Sequence, residues 1–83
     1  MEGKKMNVLE SLREQVGLGG PAAKLANEVL VIYDNYNNGE LTKEEFEFLM
    51  NEISTVRAQQ DLANDEIACR WICTAVGALV SLV

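Results

Sequence analysis

The sequence predicts an all-α protein, a small helical bundle built on a helical hairpin, and three observations predict it. Apolar residues recur at i, i+3, i+4 and i+7 along most of the chain. Asn37-Asn38-Gly39 is followed at once by Thr42 and Glu45, a helix stop next to a helix start. Gly17-Leu18-Gly19-Gly20 followed by Pro21 gives a second break of the same kind.

Residues 7–16 are expected to form a short first helix, because Val8, Leu9, Leu12 and Val16 share one face. Asn7 is its expected cap, with Glu10 completing a capping box. A helix that short depends on docking against other elements. Residues 17–20 form a glycine-rich joint. Pro21 then opens a second helix, 21–37, in the first turn, where a missing N–H costs nothing. Ala22, Leu25, Ala26, Val29, Ile32, Tyr33 and Tyr36 make its apolar stripe.

Gly39 suits the left-handed position after a helix end. Thr42 caps the third helix, 42–60, with Glu45 as its capping-box partner and Leu41 placed to staple onto Phe46. Phe46, Leu49, Met50, Ile53 and Val56 form the expected inward stripe, and Glu44, Glu47 and Glu52 face water. Residues 21–60 thus read as two antiparallel helices. Between Arg57 and Glu66 the chain turns polar without Gly or Pro. Ile53, Val56, Gln60, Ala63, Ile67 and Trp71 keep one phase, so a continuous helix competes with a bend near Asp61 to Asn64, either of which would cap a new helix. The bend is preferred, giving a fourth helix over 64–82.

That last helix is the unusual one. Trp71 to Val83 contains no charged residue. Thirteen helical residues span about 20 Å, short of the roughly 30 Å hydrocarbon core of a bilayer, and extension back to Ile67 takes in Arg70. The segment is apolar almost all round, and Cys69, Cys73, Gly77 and Ser81 recur every four residues as a strip of small side chains that lets another helix approach closely. If the hairpin covers one side, about four large side chains still face water. Their burial by a partner is worth on the order of 10 kcal/mol before association costs. The expected interface comprises Trp71, Ile72, Cys73, Val76, Gly77, Leu79, Val80 and Ser81.

Composition sets the limits. Eighty-three residues make one domain with a thin core, burying about 60–65 % of the unfolded surface. Apolar residues are 48 %, but only Tyr33, Tyr36, Phe46, Phe48 and Trp71 are aromatic, so Leu, Val, Ile and Ala must build the core. Thirteen carboxylates against seven cations leave a net charge of -6, which argues against nucleic acid as the partner. Cys69 and Cys73 stack on one helix face too far apart for a relaxed disulfide; they read as two small buried thiols in a reducing compartment, with an intersubunit bridge or shared metal as the alternative. With no His, a zinc site within one chain lacks plausible ligands, and a Ser or Cys nucleophile lacks its usual base. Glu44, Glu45 and Glu47 read as a solvated face at a helix N-terminus, and Gly17, Gly19 and Gly20 have no preceding strand to make a phosphate loop. No enzymatic activity, cofactor or small-molecule substrate is expected. Met1 to Glu10 has no unbroken apolar run of a secretion signal, so the expected location is the cytoplasm or a particle assembled inside a cell.

Asp34 to Glu45 resembles the twelve-residue calcium loop of the EF-hand family. Asp34 matches the first ligand position, Asn38 the fifth, Gly39 the turn glycine, Thr42 the ninth and Glu45 the bidentate twelfth, with Glu40 between them. Tyr36 stands where the family supplies a short oxygen ligand, and it belongs equally to the second helix's stripe. Gly39, Leu41, Thr42, Glu44, Glu45 and Phe46 also resemble the link of the short bacterial and phage helical hairpins known as SHOCT domains, over about residues 25–53. That resemblance implies oligomerisation or partner binding. The functional expectation is a non-catalytic assembly subunit, of the kind found among phage and viral structural or accessory proteins, that docks with itself or a larger complex through its C-terminal helix. The alternatives are a membrane-associated protein whose C-terminal helix inserts, and a single calcium-binding hand.

Overall fold

The computed structural model describes residues 2–83, with side chains from Val8 onward. The described residues form a small all-α bundle without strands: α1 (Glu2–Leu18), α2 (Ala23–Asn37), α3 (Lys43–Glu52), a π-helical turn (Ile53–Arg57), α4 (Ala58–Asp61) and α5 (Glu66–Leu82). Its radius of gyration, 11.9 Å, is that of a compact chain of this length, about 12 Å, so α5 is packed within the bundle and does not project from it.

The first helix is longer than its periodicity suggests. It begins at Glu2, which places Asn7 inside the helix and removes it from the capping role. Residues 2–6 contain no proline to prevent this extension. Leu9 and Leu12 are buried, with Val8 and Val16 packed beside them. Gly17 and Leu18 are still helical, and the joint falls at Gly19 to Ala22. Gly19 adopts φ +68°, and its N–H donates to the carbonyls of Gln15 and Val16. Pro21 lies in the turn ahead of α2, whose N-cap is Ala22. Leu25, Ala26, Val29 and Tyr33 are the buried face of α2.

The hairpin link follows the expected chemistry. Gly39 takes φ +80°, Glu40 N–H donates to Asn35 O (2.9 Å), and Gly39 N–H donates to Tyr36 O (3.1 Å), a Schellman closure. Thr42 Oγ1 accepts from Glu45 N–H (3.1 Å), while Glu45 Oε1 accepts from Thr42 N–H (2.8 Å). Phe46 is fully buried with its ring centroid 4.6 Å from that of Tyr36. Leu41 instead lines a surface groove with Phe48 and Leu49.

After α3 the helix changes register. In the π turn the Ala58 N–H donates to Ile53 O, an i→i+5 bond. Phe46, Met50, Ile53, Ala58 and Leu62 are the buried positions, so the steps are four, three, five and four. The extra residue turns Val56 outward, 43 % exposed, and Gln60 and Ala63 also face solvent. The phase that joins Ile53 to Trp71 through Val56 is therefore not the buried one. Ser54 and Thr55 show the local cause, because both hydroxyls donate to Asn51 O, at 3.2 and 2.7 Å. Such back-bonding competes with the regular ladder and bends helices.

The chain breaks close to the expected bend. Leu62 to Asp65 form a turn, and the cap of α5 is Asp65, whose Oδ1 accepts from Ala68 N–H at 3.0 Å, not Asp61 or Asn64. Ile72, Ala75, Val76 and Leu79 are the buried face of α5, which touches α1, α2, α3, the π turn and α4.

Candidate interaction surfaces

The central position of α5 revises the expected interface. Ile72, Val76 and Leu79 are 0–2 % exposed and already belong to the core with Leu12, Leu25, Val29, Phe46 and Met50. They have no area left for a partner. Four large side chains of α5 do not remain in water, because five elements pack against this helix and together cover more than one side of it. Cys73 and Val80 are half-buried on the flank that packs toward the rest of the bundle. Trp71 is half-buried on the other flank, and Gly77 and Ser81 face solvent.

The strip of small residues accordingly divides. At its start, Cys69 Sγ accepts from Gln59 Nε2 (3.5 Å), and the Cys73 thiol donates to Ser54 O in the π turn (3.4 Å). Burial pushes the Cys73 thiol above its ordinary value, and the neighbouring Cys69 adds to the shift. The thiolate is disfavoured here, which makes Cys73 a poor nucleophile. At the end of the strip, a Cβ placed on Gly77 would meet nothing within 4 Å, so this position lies on open surface.

Along the outer edge of α5 an apolar channel runs between α1 and α5. Val8, Ser11, Trp71, Thr74, Ala75 and Ala78 line one part of it, and Ile67 with Glu66 and Arg70 continues it past Trp71. Ile67 is 83 % exposed. Sequence reasoning placed Ile67 in the helix-to-helix stripe and missed it as a surface residue. Ile67 belongs to a separate helix, whose phase starts afresh after the turn at Leu62 to Asp65.

A second apolar surface lies on the hairpin, where none was expected. Val31 (49 % exposed) and Ile32 from α2 face Leu49 of α3, and Phe48 (67 % exposed) adjoins Leu41 at the far end. Arg57 Nη2 bridges to Glu28 Oε1 at 2.7 Å, tying the π turn to α2. The other oxygen, Glu28 Oε2, is inaccessible and has no hydrogen-bond partner among the described residues. Glu28 holds the Arg57 guanidinium even more firmly in its charged form.

The segment resembling a calcium loop does not form one. Asp34 to Asn37 are the last turn of α2, so Asp34 is fixed on a helix and Asn38 N–H bonds to its backbone carbonyl (2.9 Å). Glu45 is engaged in the capping box, and Tyr36 stacks on Phe46. Helix continuation through the first four positions takes apart the ligand set Asp34, Asn38, Glu40, Thr42 and Glu45. Among the described residues no group of three or more His, Cys, Asp or Glu is placed to hold a metal ion. Nor is any described helix long and apolar enough to cross a membrane; α5 has 17 residues and carries Glu66 and Arg70.

No protein-family model matches the chain, and no curated protein or solved structure is significantly similar to it. The fold is that of a small all-α bundle, and its surface carries two apolar tracts.

Proposed function

We propose that this chain is a non-catalytic assembly protein that associates with copies of itself along the outer edge of α5. The observation that carries the reading is Ile67, a large aliphatic side chain left 83 % exposed beside the half-buried Trp71, in a bundle whose other core positions are filled. Exposed apolar groups gathered along one channel are characteristic of an interface. Beyond them, Thr74, Gly77 and Ser81 offer small side chains against which a second helix can approach closely.

The magnitude sets the kind of association. Full burial of a large aliphatic side chain is worth roughly 1.5–3 kcal/mol, and Trp71 has only part of its area left to bury. In a two-fold pair each contribution counts twice, giving on the order of 6–10 kcal/mol. Loss of translational and rotational freedom costs about 4–15 kcal/mol. The expected assembly is therefore reversible and concentration-dependent.

Light scattering of the purified chain across a dilution series tests this. Self-association that weakens in Ile67→Ser and in Gly77→Leu supports the reading. Gly77→Leu is informative because the monomer has open space at that position. A chain that stays monomeric at the highest attainable concentration, or an oligomer unchanged in both variants, overturns it.

A further inference from the structure

The hairpin surface carries its own chemistry, separate from the edge of α5. Val31, Ile32, Leu41, Phe48 and Leu49 form a continuous apolar floor, since the two grooves that hold them share Leu49. Phe48 and Val31 are mostly or half in solvent, although each lies on a helix whose opposite face is fully packed. Glu44, Glu45 and Glu52 border this floor. Arg57 is the one cation among the described lining residues, and Glu28 already neutralises it at 2.7 Å. The tract is thus apolar along its length and negative at its margins.

We propose that this groove receives an amphipathic helix of a partner protein, one with an apolar stripe flanked by Lys or Arg. An apolar helix face laid into a groove is recognised by anchors at i, i+3 or i+4 and i+7. The span from Leu41 to Arg57 is on the order of 20 Å, room for three to four turns of a docked helix. Charge complementarity selects its sign. Basic side chains beside the stripe meet Glu44, Glu45 and Glu52, whereas acidic ones would be repelled. A second copy of this chain pairing through the same face is a poor occupant, because it would set Glu44, Glu45 and Glu52 against their own counterparts. Phe48 is the aromatic anchor, a residue type whose large apolar area weighs heavily in interface energetics when a partner buries it.

A displayed library of helical peptides, with a fixed apolar stripe and randomised flanking positions, is selected against the full chain. Lys and Arg are expected to be enriched beside the stripe. Affinity for a selected peptide is expected to fall about tenfold or more in Phe48→Ser. It falls also in the Glu44→Gln/Glu52→Gln pair and with added salt. Ile67→Ser leaves it unchanged, which separates this groove from the edge of α5. Thermal unfolding confirms that each variant is folded, as expected for exposed sites. Selected peptides without a basic excess overturn the proposal, as does unchanged affinity in Phe48→Ser. An oligomer that disperses in Phe48→Ser also overturns it, by making the groove a face between copies.

Discussion

Deleting Thr55 and deleting Glu47 remove one residue each from the same helical rod, yet the two changes should differ widely in cost. In a regular α-helix one deletion rotates every residue beyond it by about 100° relative to those before it. Thr55 lies in the π turn, where one residue more than a regular turn separates Ile53 from Ala58. Its removal lets the turn become α-helical with Phe46, Met50, Ile53, Ala58 and Leu62 still on one face. The losses are an exposed hydroxyl bond to Asn51 and the contact from the Cys73 thiol to Ser54, together about 1 kcal/mol. Removing Glu47 offers no such escape. If the π turn gives up its extra residue to keep Ala58 and Leu62 in place, Asn51 and Ser54 still move into the buried positions of Met50 and Ile53. Losing two large buried side chains costs roughly 3–6 kcal/mol, against a total of about 5–15 for a domain. For a domain of this size each kcal/mol is about 4–8 °C in Tm. The Thr55 deletion should thus stay within about 8 °C of the parent, and the Glu47 deletion should fall by at least about 12 °C. Thermal unfolding followed by circular dichroism reads both. Equal losses would refute the assignment of the extra residue to the turn.

Two further outcomes concern local chemistry. Thr42→Ala removes the hydroxyl that holds Glu45 N–H and should cost about 1 kcal/mol in urea unfolding; no measurable loss would mean the capping box contributes nothing. The Cys73 thiol is raised in the folded chain, so its stabilising contribution is complete below the unfolded thiol pKa, about 8.5, and is lost as pH rises through the folded value. Cys73→Ala should therefore lose less stability than the parent when urea unfolding is compared at neutral and high pH. Identical slopes in both proteins would contradict the shift.

The sequence was most informative where local chemistry decides conformation. Gly39, Thr42 and Glu45 each make the bonds their residue types imply, and the stripe of Leu25, Val29 and Tyr33 is the buried face of α2. It was least informative where one residue changes the register. Ser54 and Thr55 signal that change in hindsight, but adjacent hydroxyl residues also occur in unbroken helices. The change makes Val56 surface, and the break at Leu62 to Asp65 then gives α5 its own phase, in which Ile67 is surface and Trp71 half-buried. The apolar character of α5 was plain, but its consequence was misjudged. Ile72, Val76 and Leu79 are buried because α1 and the helical rod reach α5 from several directions, and no single-helix pattern contains that arrangement. The groove beside Phe48 was hidden for a related reason: Leu49 and Val31 border the buried stripes, and only the packing angle decides how much of each is covered.

The place of α5 at the hub of the bundle bears on how the chain matures during translation. Ile72, Val76 and Leu79 complete contacts for segments made earlier, yet they are the last of these to leave the ribosome. Until they emerge, the core that holds Leu12, Leu25 and Phe46 is incomplete. The nascent polypeptide therefore carries sticky surface until residues 72–79 emerge, and a product cut at Asn64 would be a bundle lacking its keystone, vulnerable to proteases and to clumping, where a simple loss of a tail would have been harmless.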